Sequence, residues 1–319
     1  MEKISLRDAF GQELALQGEQ HPELYVFAAG TSNSDCSAKF GEKFPERFFN
    51  FGINEANMVA AATGVAMAGK IVVASDMSIF LTCAYAQLIT AARQGKIHLI
   101  IAASHTGIGV GADGGSAQDI TDIGRMRLIP GFTIVAPWDG DHVKTALKQM
   151  IANPGLYYLR LNRGPLPQFT QELYEQGWIS QRFGLELPRL LKCGGQLTVV
   201  TYGDMVHPAL QAAKKIDPMF EQRIDVIGVS VIEPLDADEI LSSVTSTERL
   251  IAVEDHMHVG GLSEQLPKIL AEAGIHFRMR SVSLGRHFGT SGEPDELFKL
   301  YGLDEDSLIR AYREALDWQ

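Results

Sequence analysis

The stretch FGINEANMVAAATGVAMAG, Phe51 to Gly69, holds one carboxylate, Glu55, at the head of a run of small and apolar residues. Asn54 is a good helix N-cap, and an acid in the first turn interacts favourably with the helix dipole. That account alone would cover many first-turn glutamates. Phe51, Gly52, Ile53, Met58 and Ala60 to Ala62, however, supply no obvious solvated face. A carboxyl in an apolar pocket has a raised pKa and can share a proton with a ligand near neutral pH. A second constellation, SHTGIGVGADGGSAQD from Ser104 to Asp119, follows an apolar strand. It therefore sits where open α/β sheets bind ligands, just beyond the carboxyl ends of strands. Gly107, Gly109 and Ala112 literally satisfy G-x-G-x-x-G/A, but Asp-Gly-Gly-Ser follows where a helix must begin, which argues against a dinucleotide site. Two readings remain: a glycine-rich loop bringing backbone, His105 and Asp113 to a bound molecule, or a merely structural loop. Arg160 and Arg163, at the end of LYYLRL, either bind phosphate or carboxylate or are solvated surface cations. The histidines of EDHMHVGGL, at i and i+2, read as part of a turn rather than a metal site, and no nucleophile elbow, phosphate-cradling loop or H-E-x-x-H is present.

The elements that must position these residues are short, nearly all-apolar runs: LYVFAA (24 to 29), IVVAS (71 to 75), HLIIAAS (98 to 104), FTIVAP (132 to 137) and LYYLRL (156 to 161). Strands buried on both faces have this composition. Helical patterns over 55 to 68, 79 to 93, 119 to 129 and 140 to 152 lie between them, so the first half predicts an α/β fold with an open, mainly parallel sheet flanked by helices. A polar, irregular stretch from Pro165 to Gly195 reads as a linker. The pattern then restarts with LTVVTYG, RIDVIGVSVI, RLIAVEDH and FRMRSVSLG, separated by helical segments, as a second and smaller α/β domain. The expected domains are 1–188 and 189–319.

Length and composition agree with this. With 319 residues, 45% hydrophobic and 21% charged, the chain can bury a substantial core in each of two domains. The formal charge of -11 without a basic cluster argues against nucleic-acid binding. No run of about 18 apolar residues predicts a membrane span, and MEKISLRDAFGQELALQ reads as an amphipathic helix rather than a signal peptide. Cys36, Cys83 and Cys193 are too widely spaced for a disulfide framework or zinc site, which fits a reducing, cytoplasmic setting.

Taken together, FPERFFNFGINEANMVAAATGVAMAG (44 to 69), SHTGIGVGADGGSAQDITDIGRMRLIPGFTIVAPWD (104 to 139), YLRLNRGPLP (158 to 167), VEDHMHVGGL (253 to 262) and HFGTSGEPDELFKLYGLD (287 to 304) resemble the C-terminal half of transketolase. That half is a pyrimidine-binding domain followed by the transketolase C-terminal domain, and the likeness spans nearly the whole chain. The resemblance implies thiamine diphosphate as cofactor. It gives Glu55 the task of hydrogen-bonding the pyrimidine ring nitrogen, favouring the imino tautomer that removes the thiazolium C2 proton. It places Phe80 on an aromatic packing the pyrimidine, with Cys83 where some relatives have a second one. It also places His105 at the reacting end of the substrate, Asp113 on substrate hydroxyls and Arg160 on a substrate phosphate. The family's diphosphate-binding domain, which holds magnesium, is expected from a partner, so the chain reads as the C-terminal subunit of a split transketolase in an α2β2 assembly. In that reading it transfers a two-carbon ketol unit between sugar phosphates.

The sequence departs from the family at several points. Ala112 and Ala117 stand where an acid and a substrate-binding histidine are common, Ala56 follows Glu55 where Gln is usual, and FAAGTSN (27 to 33) lacks the aspartate of an A-D-L motif. Lost polar partners change discrimination strongly, which points towards an unusual sugar phosphate. The alternatives are another thiamine diphosphate subunit, of the deoxyxylulose phosphate synthase or 2-oxoacid dehydrogenase β type, and a non-catalytic regulatory homologue.

Overall fold

The computed structural model describes residues 2–179, 189–192, 195–216 and 224–318. The strands are β1 (Lys3–Ser5), β2 (Leu24–Ala28), β3 (Phe48–Asn50), β4 (Ile71–Met77), β5 (His98–Ser104), β6 (Phe132–Val135), β7 (Leu156–Arg160), β8 (Pro165–Pro167), β9 (Arg189–Lys192), β10 (Leu197–Tyr202), β11 (Ile224–Val229), β12 (Val231–Glu233), β13 (Arg249–Val253) and β14 (Arg278–Val282). The first sheet has the order β12-β6-β7-β5-β4-β2-β3 and is parallel except at β12. The second, β14-β13-β10-β11-β9, is parallel except at β9.

Every residue of β4 is buried, as its apolar run requires. Successive side chains serve opposite faces. Val72, Ala74, Leu99 and Ile101 pack with Met58, Val59 and Ala62 of the helix Glu55–Met67, whereas Val73 and Ile100 pack with Phe10 and Leu14 on the other side. The first of these cores runs on into the second domain through Val200, Tyr202, Val229 and Leu250.

Several segments differ from the sequence-based expectation. RIDVIGVSVI is not one strand: it breaks at Ser230, and β12 crosses over to pair antiparallel with β6, with Ala136 N donating to Ser230 O at 2.9 Å. The helix expected over 119 to 129 spans only Asp122–Arg127, because Asp119 is drawn into a bridge with Thr106 and a salt bridge to Arg125. The described residues of the expected linker are largely structured. β8 pairs with β1, a helix covers Thr170–Glu175, and β9 joins the second sheet. The expected boundary at 188 falls beside residues 180–188, which lie outside the described residues, as do 193 and 194 with Cys193.

Asp139 ties this connecting segment to the first domain. Its Oδ1 accepts from His142 N at 2.9 Å, capping the helix Gly140–Ala152, and from Thr170 Oγ1 at 2.7 Å. Its Oδ2 accepts from Phe169 N and Thr170 N at 2.9 and 2.7 Å. Asp139→Ala strands several buried donors at once, so we expect a loss of roughly 2–4 kcal/mol in urea unfolding; a change under about 0.5 kcal/mol would refute this role for the aspartate.

Candidate active site

Because β2 to β7 run parallel, their carboxyl ends open on one edge, and the segments that follow β3, β4, β5 and β7 deliver Glu55, Phe80, His105 and Arg163 there. Asn54 Oδ1 accepts from Asn57 N at 3.2 Å and starts the helix that carries Glu55. Glu55 is only 8% exposed, and its carboxylate has no hydrogen-bond partner among the described residues. The 3-10 turn Phe80–Ala84, packed against the same helix, leaves Phe80 38% exposed and Cys83 as an exposed free thiol. An unpaired, nearly buried acid next to an open aromatic face is an arrangement that a flat nitrogen heterocycle would complete.

His105 lies at the start of the glycine-rich loop with a left-handed φ of 60°, and it is 2% exposed. Its Nδ1 meets Ser104 Oγ at 2.9 Å. Burial, then the nearby Arg7 and Arg163 charges, lower its pKa to about 4, so near neutral pH it is an uncharged donor or acceptor. The loop packs on the sheet through Ala117 and Val110 against Met77. Ala117 thus serves packing, and Ala112 is exposed.

Here the structure corrects one assignment. Arg160 does not reach the surface: it is 3% exposed, its Nε donates to Asp122 Oδ2 at 3.0 Å and its Nη2 to the Asp255 carbonyl at 2.8 Å. With its guanidinium over the Tyr202 ring it joins the two domains and has no free face for a phosphate. Three residues on, Arg163 is the cation at the edge. It donates to Val110 O at 2.8 Å and pairs with Asp113 at 3.1 Å, and both of these side chains remain accessible. Asp113 is thus held by Arg163 at this edge.

Sequence reasoning missed Asp76, at the end of β4. It is buried, its Oδ1 accepts from Thr31 Oγ1 at 2.5 Å and Met77 N at 2.6 Å, and its Oδ2 is without a partner. Burial, with the Asp35 and Glu55 charges adding to it, pushes its pKa up to about 7 against the pull of those hydrogen bonds. The available signal was a lone acid within IVVASDM, a weak one. Among the described residues no cluster of His, Cys, Asp or Glu is suited to hold a metal ion, and no helix is long and apolar enough to cross a membrane.

The architecture is a two-domain α/β chain whose first sheet opens the carboxyl ends of its parallel strands on one edge, and its two halves match two family models. The transketolase pyrimidine-binding domain matches residues 2–168 and the transketolase C-terminal domain residues 188–308. The chain belongs to the transketolase family. It is 33% identical to a transketolase C-terminal section of Methanocaldococcus jannaschii, over 98% of this chain and 96% of that one. Human transketolase is 31% identical over 98% of this chain and 49% of its own length. The 1-deoxy-D-xylulose-5-phosphate synthase of Syntrophus aciditrophicus is 30% identical over 98% and 47%. The chain thus spans about half the length of these two relatives. Among solved structures, a split gene transketolase in an inactive β4 tetramer superposes with a TM-score of 0.85 at 29% identity, covering 98% of both chains. The transketolase of Leishmania mexicana shares the fold, with a TM-score of 0.80 at 22% identity.

Two outcomes follow from this geometry. The folded His105 pKa lies below the ordinary 6.5, so its contribution to stability is present above about pH 6.5 and fades as pH falls through about 4; its imidazole NMR signals should stay constant from about pH 5.5 to 8, and a titration inside that range would contradict the buried placement. Arg160→Ala leaves Asp122 buried without its cation and should cost roughly 3–5 kcal/mol, whereas Arg163→Ala, at a partly solvated pair, should leave the melting temperature little changed.

Proposed function

We propose that the chain is the C-terminal subunit of a split transketolase, transferring a two-carbon ketol unit between sugar phosphates with thiamine diphosphate and a partner subunit. The observation that carries this reading is the convergence of an unpaired Glu55, an open Phe80 ring and a neutral His105 on one edge, in a chain of this family.

In this reading the residues at the edge serve the pyrimidine end of the cofactor. Glu55 would hydrogen-bond the pyrimidine ring nitrogen, and Phe80, with the Cys83 thiol beside it, would cover the ring. When bound, thiamine diphosphate supplies a nucleophilic carbon and an electron sink for the carbon–carbon bond of the ketose. His105, uncharged, would orient the substrate oxygen at the reacting end. Asp113 would bind sugar hydroxyls, and Arg163, rather than Arg160, would meet the substrate's anionic group. In this reading the diphosphate and Mg2+ fall to an N-terminal partner, with two copies of each subunit as the assembly. Exposed Phe49, Ile53, Met67 and Ile89 of the first domain supply apolar surface of the kind that subunits cover. The wide spacing of the cysteines fits a cytoplasmic setting for this activity. The alanines at 112 and 117 leave fewer polar contacts and favour a sugar phosphate other than the ordinary pentose phosphates.

Reconstitution tests the reading. With a chain carrying the diphosphate-binding domain, Glu55→Ala should lose turnover by roughly 10²–10⁴-fold while keeping its circular dichroism; wild-type rates would sink the assignment. Calorimetry should detect stoichiometric cofactor binding only with both chains together. Condensation of pyruvate with glyceraldehyde phosphate by the same pair, without ketol transfer, would favour the deoxyxylulose phosphate synthase type instead.

A further inference from the structure

The second domain presents two acids side by side to the glycine-rich loop. β10 and β13 are parallel neighbours, with Thr201 opposite Val253, so the residues just past their ends, Asp204 and Asp255, meet. Both are buried, and their carboxyl groups lie within hydrogen-bond reach of one another. Each also grips the first domain. Asn162 Nδ2 donates to Asp204 Oδ2 at 3.1 Å, and Ile108 N donates to both oxygens of Asp255 at 3.0 and 3.2 Å. The approach is close enough that a Cβ at Gly107, whose φ is +72°, would stand 1.7 Å from Asp255 Oδ2. Asp204 Oδ1 has no donor. Two carboxylates are acceptors only, so their contact is a hydrogen bond only if a proton lies between them.

We propose that Asp204 and Asp255 share one proton at neutral pH, and that this acid pair positions the glycine-rich loop, and with it His105 and Asp113, from the second domain. Desolvation raises both carboxyls, and the charge of Asp204 raises Asp255 further. The cation that faces them is Arg160, which is already paired with Asp122. Tyr202 stays a neutral phenol, Glu254 is taken up by Tyr202 OH and the Leu262 and Ser263 amides, and His256 faces Asp122 at 3.9 Å. On the open side, a cleft of about 590 Å³ between the domains carries Lys3, His207, Glu293 and Asp295. One proton relieves an otherwise doubly negative pair that a single, shared guanidinium leaves uncompensated. The consequence for catalysis rests on the ketol-transfer reading; the shared proton does not.

The folded pair holds a proton that the unfolded chain releases near pH 3.8, so its contribution to stability is complete in acid and fades as pH rises towards the folded value. Asp204→Asn supplies an amide donor that cannot be titrated. In thermal melts of the full chain from about pH 5 to about pH 9, its pH slope should be shallower than the wild type's by about one proton, with a higher melting temperature at the alkaline end. Asp255→Asn should flatten the slope in the same way. Slopes unchanged in both variants would overturn the shared proton. Amide exchange on the same chain reads the grip on the loop: Asp255→Ala should speed exchange at Ile108 by about 10- to 100-fold, and Asp255→Asn should restore most of the protection. Wild-type exchange in Asp255→Ala would overturn the positioning role. None of these readouts needs turnover, so failure of the ketol-transfer reading would leave them interpretable.

Discussion

A guanidinium buried at a domain boundary must find its partners there, because an unpaired charge in a low-dielectric interior is too costly to persist. Arg160 is that charge. Asp122 from the first domain and the Asp255 carbonyl from the second satisfy it, and Tyr158 OH adds a hydrogen bond to Asp122 at 3.2 Å. From Tyr158 the network passes to Ser78 at 2.7 Å, then to Asp119 at 2.6 Å and its Arg125 pair. One continuous set of buried polar contacts therefore fixes the angle between the domains and both ends of the glycine-rich loop. The second domain takes part in shaping the ligand edge without itself carrying Glu55 or His105.

The edge is electrically unusual. Burial favours the uncharged form of His105 and the protonated form of Asp76, so groups that ordinarily differ in charge both titrate away from their usual ranges. A site of this kind holds proton donors and acceptors without accumulating charge, which suits chemistry in which a proton must be placed on one atom of a heterocycle. The neighbouring Arg163 and Asp113 stay solvated enough to exchange partners, as the proposed substrate-facing role requires.

Much of this was legible in the residues. The runs IVVASDM and HLIIAAS are apolar because both faces of their strands are covered, and period alone reveals that. Glu55 stood out because its neighbours offer no solvated face, and the structure keeps it 8% exposed. Other features left no local trace. VIE continues a β-like run, and whether it stays in its own sheet depends on β6, about a hundred residues earlier in the chain. Asp76 reads as a strand residue because the groups that perturb it, Thr31, Asp35 and Glu55, are distant in sequence.

The two arginines mark the boundary between these kinds of information. That a cation sits at the carboxyl end of β7 follows from composition and order, since a strand's direction and its buried run are local properties. Which of Arg160 and Arg163 faces a ligand does not, because it depends on the second domain bringing Asp255 and Tyr202 against one of them. Helices, strands and the chemistry-bearing residue types are written in short-range pattern; burial, charge state and the choice between equivalent neighbours arise when distant segments exclude water together.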